Sequence, residues 1–311
     1  MKASDNEFSL IDKHFRGRGG SSHRFTSLAI GDDASLHTLD AGMELVVSTD
    51  TSVENVHWPH DLPLEVAADR AVCSALSDLA AMGAEAVAVW LNVMAVDKSA
   101  VKAMAAGMSR SLTRYNVELV GGDTCRSATN ALAVTVAGQL PQGSAMRRDG
   151  AQTEDNLWIS GPLGLHALGL QQWMSGNKEG EFVHHINEIK PRLAAGAALR
   201  ELGVCCCIDV SDGLLQDAMH LATASGIGME IELTQLPNWA DLSASCSGDM
   251  ALEAVLHGGE DYALLFTAPA SIVIPDGLAT KIGKCHSGEG VQVFRDGELC
   301  HVKKEGFLHF D

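Results

Sequence analysis

Residues 117–124 read VELVGGDT, an apolar run that is followed at once by two glycines, an aspartate and a threonine. The apolar and β-branched residues Val117 to Val120 predict a short strand. The two glycines would let the backbone approach a ligand closely, and Asp123 would project from the end of that strand. Considered alone, the stretch is equally typical of a tight turn.

Apolar runs joined to small and acidic residues recur on both sides of this stretch. Each has an ordinary explanation as a turn or a helix cap, and paired aspartates are most often an exposed turn. Their repetition points to function, because carboxylate oxygens at strand ends and loops are hard ligands that suit Mg²⁺. The further acidic stretches are GDDA at residues 31–34, STD at 48–50, IDVSDG at 208–213 and GGED at 258–261.

Asp78 differs from these residues because it lies inside a predicted helix, among Leu76, Leu79 and two alanines. An ionised carboxylate in such an apolar setting needs a partner or a metal ion. An aspartate on the outward face of the helix is an equally good explanation. Residues 208–213 lead into another helix, whose first backbone N–H groups could meet a phosphate, although a Ser or Asp cap explains them as well.

The apolar periodicity predicts two series of strands and helices. A polar stretch with Gly143, Arg147 and Gly150 separates them, and we therefore expect one domain at residues 1–145 and a second at 146–311. The predicted strands are residues 45–48, 86–93, 117–120 and 132–136, then 157–160, 205–210, 229–233 and 263–266. The predicted helices are residues 63–82, 99–115, 192–202 and 214–224, with a further helical stretch that ends at residue 170.

The composition favours a globular chain of two domains. Of its 311 residues, 46% are hydrophobic and 20% are charged, which is close to average globular usage. The formal net charge of −18 repels nucleic acid and anionic lipid, so neither nucleic acid nor a membrane is expected as a partner. No signal peptide or membrane span is predicted, and the eight cysteines lack a CxxC pair, which favours a cytoplasmic location.

Many carboxylates facing polyphosphate make sense only if cations lie between them, which is the chemistry of phosphoryl transfer. Arg148 could bind a phosphate through two hydrogen bonds, although a solvated surface arginine is commoner, and Arg126 is a weaker candidate. The chain has no Walker A loop, since Gly283-Lys284-Cys285 lacks the upstream spacing and the hydroxyl. It also has no HExxH, no protein-kinase loop set and no GxSxG elbow.

Taken together and in this order, the acidic stretches resemble the thiamine-monophosphate kinase family, within the wider group that includes aminoimidazole ribonucleotide synthetase and selenophosphate synthetase. The resemblance extends from EFSLI at residues 7–11 to GGEDY at 258–262. It implies an α+β, two-domain aminoimidazole ribonucleotide synthetase-like fold, with an N-terminal sheet and helices plus a C-terminal α/β domain. The N-terminal domain would bind ATP and metal, and the N-terminal sheets of a homodimer would join as a barrel.

The resemblance also implies an activity, which is transfer of a phosphoryl group from ATP to thiamine monophosphate, the last step of thiamine diphosphate biosynthesis. ATP would be the co-substrate, several Mg²⁺ ions would be bound, and the attack would be direct and in line, without a catalytic side chain. By motif position, the implied magnesium ligands are Asp33, Ser48, Thr49, Asp50, Asp78, Asp123, Asp209 and Asp212. The implied ATP contacts are Gly122, Asp123, Arg148 and Ser211, and the implied substrate contacts are His57, Glu260 and Phe307.

Other functions of this group are alternatives. Aminoimidazole ribonucleotide synthetase is the strongest enzymatic alternative, and a non-catalytic nucleotide-binding scaffold of the same fold is another. A selenophosphate synthetase would need a reactive cysteine or selenocysteine near its start, whereas the first cysteine here is Cys73. A carbamoyl dehydratase of hydrogenase maturation would end in cysteine, and this chain ends in Asp311. Without the resemblance, His57 would be an ordinary loop histidine and Phe307 a core residue.

Overall fold

The computed structural model describes residues 7–20, 25–300 and 302. The chain divides into two compact units. The first holds the residues up to Leu79 together with Ala84–Gly143, and the second holds Ala80–Gly83 together with the residues from Ser144 onward. Within the described part of the chain, no helix has both the length and the apolar character that a membrane crossing requires.

The first unit is built around a four-stranded sheet. Its elements are α1 (Glu7–His14), β1 (Thr26–Leu28), β2 (Leu36–His37), β3 (Met43–Val53), α2 (Leu64–Met82), β4 (Glu85–Ala95), α3 (Lys98–Tyr115), β5 (Glu118–Arg126) and β6 (Ala131–Pro141), with the last turn of α2 counted in the second unit. The strand order is β3-β6-β4-β5, in which β6 pairs antiparallel with both neighbours and β4 pairs parallel with β5. A parallel pair needs a crossover, which α3 provides.

Helix α2 packs on one face of this sheet. It lies so close to β6 that a Cβ atom added to Gly138 would be 3.3 Å from Leu79 Cδ1. Ser48 of β3 also donates a hydrogen bond to α2. Because side chains alternate along a strand, the neighbouring residues Leu45 and Val47 lie on the opposite face, where they are 49% and 56% exposed. One face of the sheet is therefore covered by a helix, and the other carries exposed apolar side chains.

Strands β3 and β5 are longer than their apolar runs predicted. Both continue past those runs, so Asp50 and Asp123 lie inside strands, and the prediction that they follow strand ends is wrong. Gly122 has a φ of 136° within β5, and the register of the β4–β5 pair is irregular just before it. Pairing with neighbouring strands supplies backbone hydrogen bonds that outweigh the low strand propensity of glycine and aspartate.

The second unit is built around a seven-stranded sheet. Its elements are β7 (Asn156–Ile159), α4 (Leu165–Met174), α5 (Leu193–Glu201), β8 (Cys206–Asp209), α6 (Leu214–Ser225), β9 (Gly228–Glu232), α7 (Trp239–Ser245), α8 (Gly248–His257), β10 (Leu264–Ala268), β11 (Thr280–His286), β12 (Gly290–Arg295) and β13 (Glu298–Leu299), with 3₁₀ turns at Val183–Asn187 and Leu233–Gln235. The strand order is β13-β12-β9-β11-β7-β10-β8, and β9 and β12 form the parallel pair.

Both faces of the second sheet are packed. Leu265 of β10 belongs to a cluster with Leu221 of α6 and Val255 of α8. Its neighbour Phe266 belongs to another cluster, with Leu199 of α5. Since adjacent strand residues point to opposite faces, the two clusters lie on opposite sides of the sheet. Strands buried on both faces read as continuous apolar runs, which is why β8 and β10 were recognisable in the sequence.

Candidate active site

The first group of predicted ligands meets where β3 faces α2. Ser48 Oγ donates to Asp78 Oδ2 at 2.5 Å, and Ser74 Oγ donates to Asp50 Oδ2 at 2.6 Å. Ser48 and Asp50 share a face because they are two residues apart in a strand, and Ser74 and Asp78 are one helical turn apart. Asp78 therefore faces the sheet, and each serine holds one carboxylate whose other lone pairs can bind a cation.

Thr49 is not brought together with this group. Its side chain points to the opposite face of β3, where Thr49 Oγ1 lies 3.0 Å from Thr135 Oγ1 of β6. Strand alternation imposes this separation from Ser48 and Asp50. A role for Thr49 in binding magnesium stays a prediction, and its hydroxyl is on the wrong face to join Asp50.

A second group of acidic residues lines a cavity of about 550 Å³ in the first unit. Asp32, Asp33 and Asp123 all line it, together with Gly122. Carboxylates around one cavity repel each other unless a cation or hydrogen-bond donors offset their charge. This arrangement suits a cation, or an anion that is bound through cations.

The loop at residues 31–34, which carries two of these aspartates, is attached to the sheet through a polar and aromatic cluster. Trp90 Nε1 donates to Ser35 Oγ at 3.0 Å, and Ser35 Oγ lies 2.7 Å from His37 Nε2. The His37 ring stacks on Phe25 with a centroid distance of 4.7 Å. Burial lowers the pKa of His37, which favours a neutral ring. Ser35, which directly follows the acidic loop, is therefore held by both Trp90 and His37, and these contacts anchor the loop to the sheet.

Gly122 has a structural reason for lacking a side chain. A Cβ atom at this position would lie 2.0 Å from the carbonyl oxygen of Leu91 in β4. The sequence predicted that glycine here leaves room for a ligand, whereas the structure shows that it leaves room for the neighbouring strand. Any contact between Gly122 and ATP would use its backbone.

His57 lies in the loop that follows β3. Val53 N donates to His57 Nδ1 at 3.0 Å, so Nδ1 is an acceptor and the neutral ring carries its proton on Nε2. The adjacent Glu54 is buried and accepts hydrogen bonds from the backbone and side-chain nitrogens of Asn130, which attach the loop to the start of β6. In the neutral His57 ring, Nε2 therefore carries the N–H donor.

The acidic group of the second unit lies between β8 and α6. Asp209 is buried and is the last residue of β8. Asp217, in the first turns of α6, accepts hydrogen bonds from Ser211 N at 3.0 Å and from Asp212 N at 3.1 Å. Ligand atoms of Asp212, Asp217 and His220 all lie within 4.8 Å of one another. Asp217 and His220 thus extend the predicted set of Asp209 and Asp212.

The start of α6 differs from the Ser or Asp cap that the sequence offered as one explanation. The helix cap is Gly213, with a φ of 111° and no side-chain cap, so neither Ser211 nor Asp212 caps the helix. The N–H groups of these two residues donate to Asp217. The N–H groups of the first helical residues, from Leu214 onward, are different groups, and their contact with a phosphate stays a prediction. Burial raises the pKa of Asp217 to about 8, so this carboxyl group is mostly protonated at neutral pH.

Arg148 lies beside the edge strand β8. Arg147 N donates to Cys205 O at 2.8 Å and Cys207 N donates to Arg147 O at 3.1 Å, which adds a short parallel segment to the sheet. Ser225 Oγ, at the end of α6, donates to Arg148 O at 3.0 Å. The backbone of Arg148 is therefore fixed to the strand that ends in Asp209.

The two adjacent arginines differ in their partners. Arg147 Nη2 lies 2.6 Å from Asp149 Oδ2. In the described part of the chain, Arg148 forms no ion pair, and its side chain is exposed. Of the pair, Arg148 is the residue whose guanidinium group is available to a phosphate.

Glu260 lies in a loop that contacts the Ser211 segment. Glu260 N donates to Ser211 O at 2.7 Å, and Tyr262 N donates to Val210 O at 2.8 Å. The Glu260 side chain is 28% exposed, so its carboxylate can meet a ligand. The predicted ATP contact Ser211 and the predicted substrate contact Glu260 are thus neighbours in this unit.

Asp261, in the same loop, is half-buried, and the desolvation of its carboxyl group predicts a pH effect. Burial raises its pKa to about 7, against hydrogen bonds that include one from Gly164 N to Oδ2 at 2.8 Å. Because the folded chain holds this proton more tightly than the unfolded chain, the free energy of unfolding should fall as pH rises from about 4 to about 7. Asp261→Asn keeps an acceptor and cannot titrate.

Between pH 4 and pH 7, the wild-type protein should lose up to ~1.4 kcal/mol of unfolding free energy for each pH unit, whereas Asp261→Asn should not. We therefore expect Asp261→Asn to be the more stable protein above pH 7, by up to a few kcal/mol. Urea unfolding of both proteins at pH 5, 6, 7 and 8 measures this difference. Other titrating groups, Asp217 included, contribute equally to both proteins. A difference that does not grow with pH would contradict the desolvated, titrating carboxyl.

Three residues of the site were not predicted from the sequence. Ser74 donates to Asp50, Asp217 accepts from Ser211 N, and His166 contacts Glu260. For Asp217 a signal was present, because it follows Leu214 by three residues and precedes Leu221 by four, on the apolar face of the helix. This is the same pattern that singled out Asp78. Ser74 and His166 had no such signal, since their partners are distant in the sequence.

Residues 31–140 match the model described as AIR synthase related protein, N-terminal domain, and residues 152–292 match the corresponding C-terminal domain. The chain is 35% identical over 324 residues to thiamine-monophosphate kinase of Escherichia coli strain K12, with 98% of each chain covered. The chain belongs to the thiamine-monophosphate kinase family. The predicted family is therefore confirmed.

Solved structures of the thiamine-monophosphate kinase family have the same fold. The enzyme from Stenotrophomonas maltophilia is 33% identical with a TM-score of 0.80, covering 90% of this chain and 93% of its own. AaThiL complexed with AMPPCP and TMP is 30% identical with a TM-score of 0.78, covering 91% and 92%. The predicted two-domain α+β fold is confirmed. Phe307, the remaining predicted substrate contact, lies outside the described residues.

Proposed function

We propose that this chain acts as its family does, transferring the γ-phosphoryl group of ATP to thiamine monophosphate and releasing ADP and thiamine diphosphate. The similarity to a thiamine-monophosphate kinase over 98% of the chain carries this proposal. The relative complexed with AMPPCP and TMP adds support, because its ligands correspond to the two substrates. The acidic cavity and the exposed Arg148 provide matching chemistry for polyphosphate.

Magnesium is the cation that we propose for the acidic groups. Their chemistry fits, because they offer carboxylate and hydroxyl oxygens, the ligands of a hard divalent cation. The residues that would hold the ions are Asp33, Asp123, Ser48, Asp50 and Asp78 in the first unit and Asp209 and Asp212 in the second. Thr49 would join them only through its backbone carbonyl oxygen, because its hydroxyl lies on the other face of β3. Bound magnesium would offset the charge of the phosphates. The serine hydrogen bonds would keep the carboxylates oriented for that task.

The substrate contacts are proposed from the donors and acceptors that the site presents. ATP would be bound by the backbone of Gly122, by Arg148 and by Ser211, with Asp123 acting through a metal ion. His57 would donate its Nε2 proton to a phosphate oxygen of thiamine monophosphate. Glu260 would face the cationic thiamine, and Phe307 would pack on its rings.

Direct transfer is the mechanism that these residues support. The attacking group is a phosphate oxygen, which is ionised at neutral pH and needs no base to activate it. Positioning of the two substrates and compensation of their charge then supply most of the rate. We therefore assign no side chain as a base or a nucleophile, and we expect no phosphorylated form of the protein.

A homodimer is the proposed assembly. The face of the first sheet away from α2 carries the exposed side chains of Leu45 and Val47 next to Thr49. An apolar face of this kind can be covered by the same face of a second copy, as in the barrel that the family implies. Sedimentation equilibrium measures the mass of the assembly in solution. A mass of twice the 32.8 kDa of one chain would support the dimer, and the mass of a single chain would contradict it.

The remaining assignments follow from the same reasoning. We propose that residues 1–145 form the ATP-binding, metal-binding and dimer-forming domain and that residues 146–311 form the second domain. A cytoplasmic location is proposed because all eight cysteines are free thiols. Fractionation of cells that carry a tagged chain tests the location.

A substrate panel tests the activity. Purified chain is incubated with ATP, magnesium and one of thiamine monophosphate, free thiamine or the precursor used by aminoimidazole ribonucleotide synthetase. ADP release is coupled to a reporter, and products are separated by chromatography. We expect thiamine diphosphate from the monophosphate and no product from the other two compounds. Turnover of the purine precursor alone would favour the synthetase, and nucleotide binding without any product would favour a scaffold.

A further inference from the structure

His166 and Glu260 are neighbours in the second unit. His166 is the second residue of α4 and is only 7% exposed. Its Nε2 atom lies 3.5 Å from Glu260 Oε2, and the hydroxyl of the buried Tyr262 lies 3.5 Å from Glu260 Oε1. Each oxygen of the half-buried carboxylate therefore has a polar neighbour on a buried side chain.

The backbone around Glu260 is held in an uncommon conformation. Gly259, Glu260 and Tyr262 all have positive φ angles, of 64°, 59° and 51°. Non-glycine residues adopt such angles when the surrounding structure stabilises them. Here hydrogen bonds from Glu260 N to Ser211 O and from Tyr262 N to Val210 O do so. Such backbone strain is concentrated at functional sites, so the loop is a reasonable place for a ligand contact.

Helix α4 is fixed to this loop at two further points. Asp261 Oδ2 accepts a hydrogen bond from the N–H of Gly164, the residue that caps α4. A Cβ atom on Gly258 would lie 2.4 Å from the Cβ of Ala167, which shows how closely the loop and the helix approach. The position of His166 relative to Glu260 is therefore set by the fold.

We propose that His166 is a positioning residue that holds the Glu260 carboxylate in the orientation that receives thiamine monophosphate. This inference rests on the proposed function, in which Glu260 contacts that substrate. A glutamate side chain that is free to rotate loses rotamer freedom on binding, which weakens binding. Contacts on both oxygens restrict that freedom beforehand. Because His166 acts on the substrate only by orienting Glu260, it affects the affinity for thiamine monophosphate and leaves the affinity for ATP unchanged.

Two substitutions separate the polar contact with Glu260 from packing. His166→Leu keeps most of the volume and removes the donor, whereas His166→Gln retains an N–H donor at a similar reach. We expect His166→Leu to raise the KM for thiamine monophosphate by about threefold to tenfold, with the KM for ATP unchanged. His166→Gln should restore most of the loss. The exposed histidine at residue 184 supplies a matched control. We expect His184→Leu to have the same KM values for thiamine monophosphate and ATP as the wild type.

A double variant tests whether His166 acts through Glu260. Adding His166→Leu to Glu260→Gln should raise the KM for thiamine monophosphate no further than Glu260→Gln alone. Equal rises in both KM values, a His166→Gln variant as impaired as His166→Leu, or additive effects in the double variant would each overturn the positioning role. If the wild-type chain makes no thiamine diphosphate in the same assay, the proposed function itself fails. An active wild type with an unaffected His166→Leu variant rejects this inference alone.

Discussion

Asp50→Asn is expected to lower kcat by about 100-fold to 1,000-fold, the range found when one group that stabilises transition-state charge is removed. Asp50 lies on the face of β3 that meets α2, where Ser48 donates to Asp78, and its own Oδ2 atom accepts a hydrogen bond from Ser74. Asparagine retains that acceptor and has nearly the same shape, so the fold should be preserved. The loss would come from the missing negative charge, which weakens the hold on a divalent cation.

Steady-state rates across a magnesium titration measure this effect. Asp50→Asn should need more magnesium than the wild type to reach its own maximal rate. The exposed aspartate at residue 40 supplies a control, since Asp40→Asn makes the same chemical change away from the acidic groups. Full activity of Asp50→Asn at low magnesium would remove Asp50 from the metal site.

Gly122→Ala is expected to destabilise the chain strongly, with a loss of about 2 to 6 kcal/mol in the free energy of unfolding. The new methyl group would lie 2.0 Å from the carbonyl oxygen of Leu91, and the φ of 136° is strained for alanine. Strands β4 and β5 would have to separate locally. Asp123, the next residue, would then move relative to the acidic cavity, and ATP binding should weaken as well.

A second glycine provides the comparison for this prediction. Gly42 also has a positive φ, of 82°, but a Cβ atom there would meet nothing within 4 Å. Gly42→Ala should therefore cost only about 1 kcal/mol, from backbone strain alone. Urea unfolding of the two variants gives both values. Similar losses for the two would show that the contact with Leu91 relaxes at little cost.

Regular elements with a strong apolar pattern could be predicted from the sequence. The helix predicted at residues 214–224 is observed as α6, Leu214–Ser225, because its leucines recur at helical spacing and Gly226 ends it. The strand β11 was missed because Lys281, Gly283 and Lys284 interrupt its apolar pattern. Its pairing with β7 and β9 stabilises it as a strand, and pairing with distant segments is not visible in a local pattern.

The residue types of the site could also be predicted, whereas their partners could not. Asp78 was singled out as a carboxylate in an apolar helix, yet its contact with Ser48 joins residues 30 positions apart. Thr49 was grouped with its neighbours in sequence, although strand alternation places its side chain on the other face. Asp217 accepts hydrogen bonds from the N–H groups of Ser211 and Asp212, a contact that the sequence did not reveal. Contacts of this kind depend on tertiary packing rather than on motif spacing.

Direct, metal-dependent transfer to thiamine monophosphate is the central claim, and a single-turnover experiment tests it most directly. Enzyme in excess is mixed with ATP radiolabelled in the γ-phosphate and with thiamine monophosphate, with or without a chelator, and is quenched at short times. We predict that label passes into thiamine diphosphate as fast as ATP disappears, that the protein stays unlabelled and that the chelator stops the reaction. Label on the protein before it appears in the product, or unchanged transfer in the chelator, would contradict the account.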